Sequence, residues 1–206
     1  MKLKLISAIA AGLLSAAPAF AVTIDFKDLG GYNFVQQYYN GGATDGGLVG
    51  PNYGISFGLD ALAVQNDAVF TYYDNAPNPG VLSAVGSDAA MSVASGFNGL
   101  VSFFYSAVEA TTVNVYSGLN GTGSLLGTFN LAATNDACTE IAYCSWTQVS
   151  LDLGSNVGYS IQFANAAGVA GFDNITVNQV PVPAAGWLLM SALGGLGVLS
   201  RRNRAA

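Results

Sequence analysis

The chain of 206 residues contains no histidine, only two cysteines and only six basic residues. Without histidine, the commonest general base of enzymes and the usual ligand of protein-bound zinc or copper are missing. No imidazole can activate a serine, and the stretch "GTGSLLG" departs from the G-x-S-x-G pattern of serine hydrolases. We therefore expect a protein that is not an enzyme.

Charge is scarce and unevenly placed. Charged residues make up 9% of the chain, with twelve acidic against six basic groups. Lys27 is the only basic residue between positions 5 and 200, so the formal charge changes from −6 for the whole chain to −11 for this middle segment. Such a surface repels nucleic-acid phosphates, disfavours acidic polysaccharides and attracts divalent cations. We expect no nucleic-acid partner.

The N-terminus carries one of two apolar runs. Lys2 and Lys4 precede the apolar residues 5–17, and an A-x-A site ends at Ala21. This order is typical of a secretory signal peptide, which we place at residues 1–21. It predicts export through the Sec translocon and cleavage after Ala21 by signal peptidase. The alternative is a buried N-terminal helix.

The other apolar run lies at the C-terminus. Pro181 and Pro183 fix φ and predict an extended linker. Residues 184–200 contain no charge, and their 17 residues are just long enough for a membrane helix. The basic residues that follow should stop this helix on the cytoplasmic side; they are Arg201, Arg202 and Arg204. The sequence predicts an exported domain at 22–179 and a single transmembrane helix at 184–200.

The tail also carries a motif, made of Val180, Pro181, Val182, Pro183 and Ala184. Followed by an apolar helix and paired arginines, it resembles the PEP-CTERM sorting signals of Gram-negative bacteria. It is most similar to the VPLPA-CTERM variety, with valine in place of the leucine. The resemblance covers residues 180–206 and implies recognition and cleavage by an exosortase. A membrane-tethered intermediate would then yield a cell-surface or extracellular-matrix protein. An ordinary tail anchor is the alternative.

Alternating apolar residues between the two ends predict β-strands. Period-two patterns occur in "VSFFYSA", "TTVNVYSG" and "YSIQFAN". Further candidate strands lie at 23–26, 53–57, 68–73, 125–130, 147–153 and 175–178. Glycine-rich and proline-rich turns separate them: "SGLNGTGS" predicts a hairpin, "DNAPNPG" a loop and residues 40–52 a mobile connection. About nine such strands favour an all-β fold, an antiparallel β-sandwich of the jelly-roll type.

The two cysteines, Cys138 and Cys144, lie six residues apart. In an oxidising compartment an even pair this close predicts a disulfide. Their spacing is not C-x-x-C, which argues against a redox or metal pair.

Acidic and amide side chains lie near both ends of the predicted domain, in "TIDFKDLG" and "AGFDNITVN". Asp25, Asp28, Asp173 and Asn174 offer the oxygen ligands that calcium prefers. First and last strands of a sandwich often lie close together, so a calcium site is one interpretation. The two stretches are also similar to those of PEP-CTERM surface domains and calcium-bearing jelly rolls. Alternatively, these residues cap turns and solubilise strand ends.

Paired tyrosines suggest glycan binding, because sugars stack on flat aromatic rings. The pairs are Tyr38 with Tyr39 and Tyr72 with Tyr73, and alternation along a strand would point one ring of each pair outward. Further aromatic candidates are Tyr105, Tyr116 and Trp146. The alternative is that these tyrosines are ordinary strand and core-edge residues.

These observations favour a non-catalytic surface or matrix protein that acts structurally or binds exopolysaccharide weakly, with calcium as its only candidate cofactor. A second hypothesis is a carboxylate-based polysaccharide hydrolase on a jelly-roll fold, which needs two facing carboxyl groups. Any two of twelve acidic residues could supply them, so the sequence gives this hypothesis no particular support. A structural subunit without a ligand is the third.

Overall fold

The computed structural model describes residues 20–66 and 72–181. Several predicted features lie outside these residues: most of the signal peptide, the sorting motif from Val182 onward, the membrane helix at 184–200 and the arginines after it. Within the described residues, no helix is long and apolar enough to cross a membrane. Residues 19–180 form one compact unit.

Eleven strands and three short 3-10 turns make up the described secondary structure. The strands are β1 (Phe20–Ile24), β2 (Asn33–Phe34), β3 (Ile55–Phe57), β4 (Ala61–Gln65), β5 (Gly80–Ala84), β6 (Ala90–Ala107), β7 (Thr111–Tyr116), β8 (Leu125–Leu131), β9 (Thr147–Asp152), β10 (Gly158–Gln162) and β11 (Ala170–Gln179). The 3-10 turns are Lys27–Leu29, Asn135–Ala137 and Ala164–Ala166. All paired strands in this part of the chain run antiparallel. The predicted all-β antiparallel fold is confirmed.

The long strand β6 pairs with four other strands. Its first part pairs with β3 and β10, whereas its second part pairs with β9 and β11. Gly96 and Gly99 lie between these parts at φ of 73° and 65°, a region that glycine adopts without steric cost. The strand order is β2-β4-β5-β11-β6-β10-β7-β8, with β1 on β11 and both β3 and β9 on β6. The sheet therefore folds over itself into a sandwich-like structure.

Aromatic rings from different strands meet in the core. The ring centroid of Phe103 on β6 lies 4.6 Å from that of Phe129 on β8 and 5.5 Å from that of Phe172 on β11. Phe172 also packs against Phe163 at 4.7 Å. All four rings are buried, and ring contacts of this kind add to the stabilisation from apolar burial. The inward faces predicted from alternation in β6 and β7 are confirmed at Phe103 and Val113.

The structure describes two of the predicted turn regions, the hairpin after β7 and the loop at residues 40–52. "SGLNGTGS" connects β7 to β8 as the predicted hairpin, with Thr111 opposite Leu131 at its open end. Residues 40–52, predicted as a mobile connection, form a loop whose two arms lie side by side. Bridges join Asn40 to Asn52 and Ala43 to Val49, so backbone hydrogen bonds tie the two arms together. Of the predicted strand at 68–73, residues 68–71 lie outside the described residues.

Candidate functional site

The outer face of β4 and β5 carries an apolar cluster of its own. Side chains alternate along these strands, so Ala63 and Leu82 face the main core, whereas Val64 and Val81 face the other way. Val64 and Val81 are buried there together with Tyr73. We call this set the outer cluster. This outer face is therefore covered by apolar contacts of its own, separate from the main core.

Tyr73 lies flat against the sheet because Gly171 leaves room for it. A Cβ at Gly171 would overlap the Tyr73 ring. The Tyr73 hydroxyl donates to Ser83 Oγ at 3.1 Å. Burial raises the pKa of Tyr73 well above its usual range, so this hydroxyl stays protonated and keeps its hydrogen bond.

The segment 138–146 covers one side of Tyr73, and we call it the wall. Tyr143 lies 4.9 Å from Tyr73 between ring centroids, and its hydroxyl donates to Gly168 O at 2.8 Å. Asp74 N donates to Tyr143 O at 3.0 Å. Trp146 Nε1 donates to Asp74 O at 2.9 Å. Three hydrogen bonds therefore dock the wall against Asp74 and against Gly168, in the loop that precedes β11.

The predicted disulfide closes the wall at its base. Cys138 and Cys144 are bonded, with their Cα atoms 5.7 Å apart, a usual separation for a disulfide. Cys144 N also donates to Cys138 Sγ at 3.2 Å. The pairing predicted from spacing is confirmed.

A groove of about 280 Å³ opens beside the outer cluster. Its described lining residues are Tyr32, Leu62, Val64, Tyr72, Tyr73, Ser83, Val85, Tyr143 and Gly168. Tyr32 and Tyr72 are 62% and 69% exposed, so ring surface remains open to a ligand. None of these lining residues is charged. The groove combines apolar side chains with tyrosine and serine hydroxyls. This mixture is found in sites for small polar molecules that also have apolar faces.

The four tyrosines predicted to bind glycan lie in two different parts of the structure. Tyr72 and Tyr73 do line the groove, with Tyr72 exposed and Tyr73 buried. Tyr38 and Tyr39 are both buried in the main core, where their rings meet edge-to-face at 4.9 Å. The expectation that one ring of each pair points outward is wrong for this pair. Backbone bonds such as Tyr38 N to Val35 O make the segment a series of turns, so strand alternation does not apply.

Two groove residues, Tyr32 and Tyr143, were missed by sequence reasoning. They come from separate loops, and no spacing in the sequence relates them to Tyr72. Only the three-dimensional fold places them together.

Asp173, one of the four predicted calcium ligands, anchors a loop. Its side chain is fully buried and accepts from Asn78 N at 2.8 Å and from Asn174 N at 2.6 Å. Asn174 Oδ1 accepts from Asn78 Nδ2 at 2.6 Å. Burial, and to a smaller extent the charge of Asp25, raise the pKa of Asp173 to about 6, against the effect of these hydrogen bonds. Both side chains thus hold the loop "DNAPNPG".

The other two predicted ligands lie at the start of the domain. Asp25 Oδ2 forms a 2.6 Å ion pair with Lys27 Nζ. Asp28 lies near Tyr38, whose pKa is raised by burial and then by this negative charge. β1 and β11 do pair, which brings the two predicted halves of the site near each other. Within the described residues, no group of three or more acidic or cysteine side chains is placed to hold a metal ion. Calcium binding stays a prediction.

A smaller cavity of about 210 Å³ lies beside the disulfide. Asp74 and Glu140 line it, together with Thr139 and Cys144. The hydrolase hypothesis requires two carboxyl groups that face each other across a cleft, and this cavity has two in its lining.

Comparison with known proteins gives only distant matches. No protein-family model and no curated protein matches the chain. A family 6 carbohydrate-binding module from Clostridium stercorarium, solved with cellobiose, is 14% identical over 60% of this chain and 85% of that one, with a TM-score of 0.41. A family 29 carbohydrate-binding module from Piromyces equi is 11% identical over 78% of this chain and 91% of that one, also at 0.41.

A third structure is a family 43 arabinoxylan arabinofuranohydrolase from Bacillus subtilis, solved with cellotetraose. It is 16% identical over 60% of this chain but only 26% of the enzyme, with a TM-score of 0.42. TM-scores this low, at such identities, do not show a shared function or a shared binding site.

Proposed function

We propose that this chain is a non-catalytic, exported glycan-binding module with a jelly-roll form of the sandwich, and that the groove beside the outer cluster is its binding site. The observation that carries the proposal is the pair of exposed rings, Tyr32 and Tyr72, beside the apolar side chains of Leu62 and Val64, which we call the floor of the groove. Pyranose rings present weakly apolar C–H faces that stack on such aromatic surfaces, while their hydroxyls pair with tyrosine and serine hydroxyls.

Charge narrows the choice of glycan. The middle segment carries a formal charge of −11, and the described lining of the groove is uncharged. An acidic polysaccharide would be repelled by the domain and would find no cationic partner in the groove. The proposed ligand is therefore a neutral exopolysaccharide.

The two chain ends support delivery to the cell surface or the matrix. The signal peptide would send the chain through the Sec translocon, and an exosortase would cut it near the motif that begins at Val180. β11 ends at Gln179, directly before this motif. Intact mass spectrometry of protein from the host's surface fraction tests this route. The mass should correspond to a chain from Val22 to a residue within 180–184, whereas a mass that includes Ala206 would show a permanent anchor.

Binding itself is tested by affinity electrophoresis in gels that contain a neutral polysaccharide. Mobility of the native chain should fall, and the retardation should weaken in Tyr72→Ala and Tyr32→Ala. Tyr53→Ala is the matched control, because Tyr53 is 43% exposed but does not line the groove. Equal retardation of all three variants would place binding elsewhere.

The cavity lined by Asp74 and Glu140 favours one second candidate, a polysaccharide hydrolase. This candidate predicts new reducing ends when the chain is incubated with the host's exopolysaccharide, and their loss in Glu140→Gln. Retardation without new reducing ends supports the non-catalytic proposal. A structural subunit without a ligand predicts neither result.

A further inference from the structure

We infer that the Cys138–Cys144 disulfide acts as a clamp on the groove, so that oxidation assembles the glycan site and reduction opens it while the sandwich stays folded. This inference rests on the proposed function, because it concerns regulation of the same groove. The disulfide joins two cysteines at a sequence separation of 6 and closes a short loop at the base of the wall. It is the only covalent restraint on the wall besides the backbone.

The wall contributes little to the main core. None of residues 132–146, all of which the structure describes, is buried. They connect β8 to β9 without forming a strand of their own. Thr134, near the start of this connection, is fixed by a bond from its backbone N to Ala107 O at 2.8 Å. Beyond Thr134, the bonds from the wall to Asp74 and Gly168 attach the connection to the rest of the domain. The disulfide joins two residues of the wall and so restricts the wall's own conformation, which positions Tyr143 for these contacts.

The groove depends on the wall for one of its sides. Tyr143 lines the groove and packs on Tyr73, and Trp146 lies 6.2 Å from Tyr73 between ring centroids. If the wall detaches, Tyr73 loses both aromatic partners and the groove opens on that side. The floor formed by Leu62 and Val64 remains, because it belongs to β4.

The main core is independent of this change. Tyr143 and Trp146 pack against the outer cluster, which is separate from the main core cluster around Phe103 and Phe172. Local opening of a peripheral unit with few buried residues costs much less free energy than global unfolding. The wall is therefore able to open while the sandwich persists.

The chemistry of the switch is thiol–disulfide exchange with a small dithiol. One thiolate of the dithiol attacks a sulfur of the Cys138–Cys144 bond and forms a mixed disulfide. Its second thiol then displaces the protein cysteine. Two electrons and two protons pass to the cysteines, which become thiols, and the dithiol becomes a cyclic disulfide.

Trp146 reports directly on the wall. The chain contains two tryptophans, so Trp187→Phe in the full chain, kept in detergent, leaves Trp146 as the only one. In this background we compare the oxidised chain with the double variant Cys138→Ser/Cys144→Ser. The variant should show red-shifted Trp146 emission, unchanged far-UV circular dichroism and at least tenfold weaker binding to a neutral polysaccharide. Dithiothreitol should cause the same changes in the oxidised chain. It should have no effect on the variant, which has no disulfide to reduce.

Tyr72→Ala is the matched control for the groove, since it should weaken binding without shifting Trp146 emission. Unchanged binding by the double-serine variant would overturn the inference, and so would loss of its β-sheet circular dichroism. Failure of the oxidised chain to bind any neutral polysaccharide would count against the proposed function instead. In that case the emission shift and circular dichroism still decide whether the disulfide clamps the wall.

Discussion

Ala21 lies opposite Asn178 in the antiparallel pair of β1 and β11. The residue before the predicted signal-peptidase cut thus faces a residue two positions before the sorting motif at Val180. Both predicted processing points therefore lie at the same end of one strand pair. Cleavage after Ala21 leaves Val22, opposite Val177, as the first residue of the strand.

Removal of Phe20 and Ala21 should cost little stability. Both residues are exposed, whereas Ile24 on the same strand is fully buried. A chain that starts at Val22 should lose less than about 1 kcal/mol of unfolding free energy relative to one that starts at Phe20. Ile24→Ala in the shorter chain should cost about 2 to 5 kcal/mol, because it leaves a cavity. Urea denaturation measures both. A large loss from the trimming alone would argue against cleavage after Ala21.

Asp173 should make stability depend on pH. The pKa of Asp173 in the folded chain is about 6, above its usual value near 4. As pH rises, the Asp173 carboxyl group therefore loses its proton in the unfolded chain before it does in the folded chain, which favours unfolding. The stabilisation is complete below about pH 4 and is lost as pH rises through about 6. The loss should be about 2 to 3 kcal/mol, at about 1.4 kcal/mol for each unit of pKa.

Urea denaturation between pH 4 and 7, with Asp173→Asn as the comparison, isolates this contribution from those of the other aspartates. The native chain should lose stability across this range relative to the variant. Parallel curves for the two proteins would show that Asp173 does not have a raised pKa.

Gly171→Ala should displace the Tyr73 ring, which lines the groove. The added methyl overlaps the Tyr73 ring, which then has to move away from the sheet. We expect a loss of about 1 to 3 kcal/mol of unfolding free energy and weaker glycan binding. Gly31→Ala is the matched control, since its Cβ would meet Gln65 Cβ at an ordinary 3.6 Å. Thermal melting compares the variants, and equal stability would mean that Tyr73 does not lie over Gly171.

Calcium should raise the melting temperature if the acidic side chains of the domain bind it. The charge of −11 on the middle segment motivates this prediction. A ligand that binds only the folded state stabilises it by about 2.7 kcal/mol at one hundred times its dissociation constant. Asp25→Asn and Asp28→Asn should reduce the shift. Absence of any shift at millimolar calcium, relative to EDTA, would show that the domain has no calcium site of this affinity.

The fold was predictable where strands have one polar face. β7 and β10 alternate clearly and were found, with Val115 and Ile161 directed to the core. β4 and β5 were missed because both of their faces are covered. Ala63 faces the main core and Val64 the outer cluster, so their apolar residues run together without a period of two.

The site was predictable only in part. Tyr72 and Tyr73 were identified as a candidate pair, and the disulfide beneath the wall followed from cysteine spacing. Tyr32 and Tyr143 lie in loops that contribute to the groove. No local sequence pattern predicts the course of such loops. Tertiary packing decided the burial of the other pair, since Tyr39 packs on Phe26 and Tyr38 packs on Tyr39.

Isothermal titration of the oxidised full chain, in detergent, with a neutral exopolysaccharide from the host measures directly whether the groove binds glycan. We expect measurable binding that weakens about tenfold or more in Tyr72→Ala, a change of about 1.4 kcal/mol, and that stays unchanged in Tyr53→Ala. An absence of binding, or native affinity in a Tyr32→Ala/Tyr72→Ala double variant, would contradict the assignment of the groove as a glycan site.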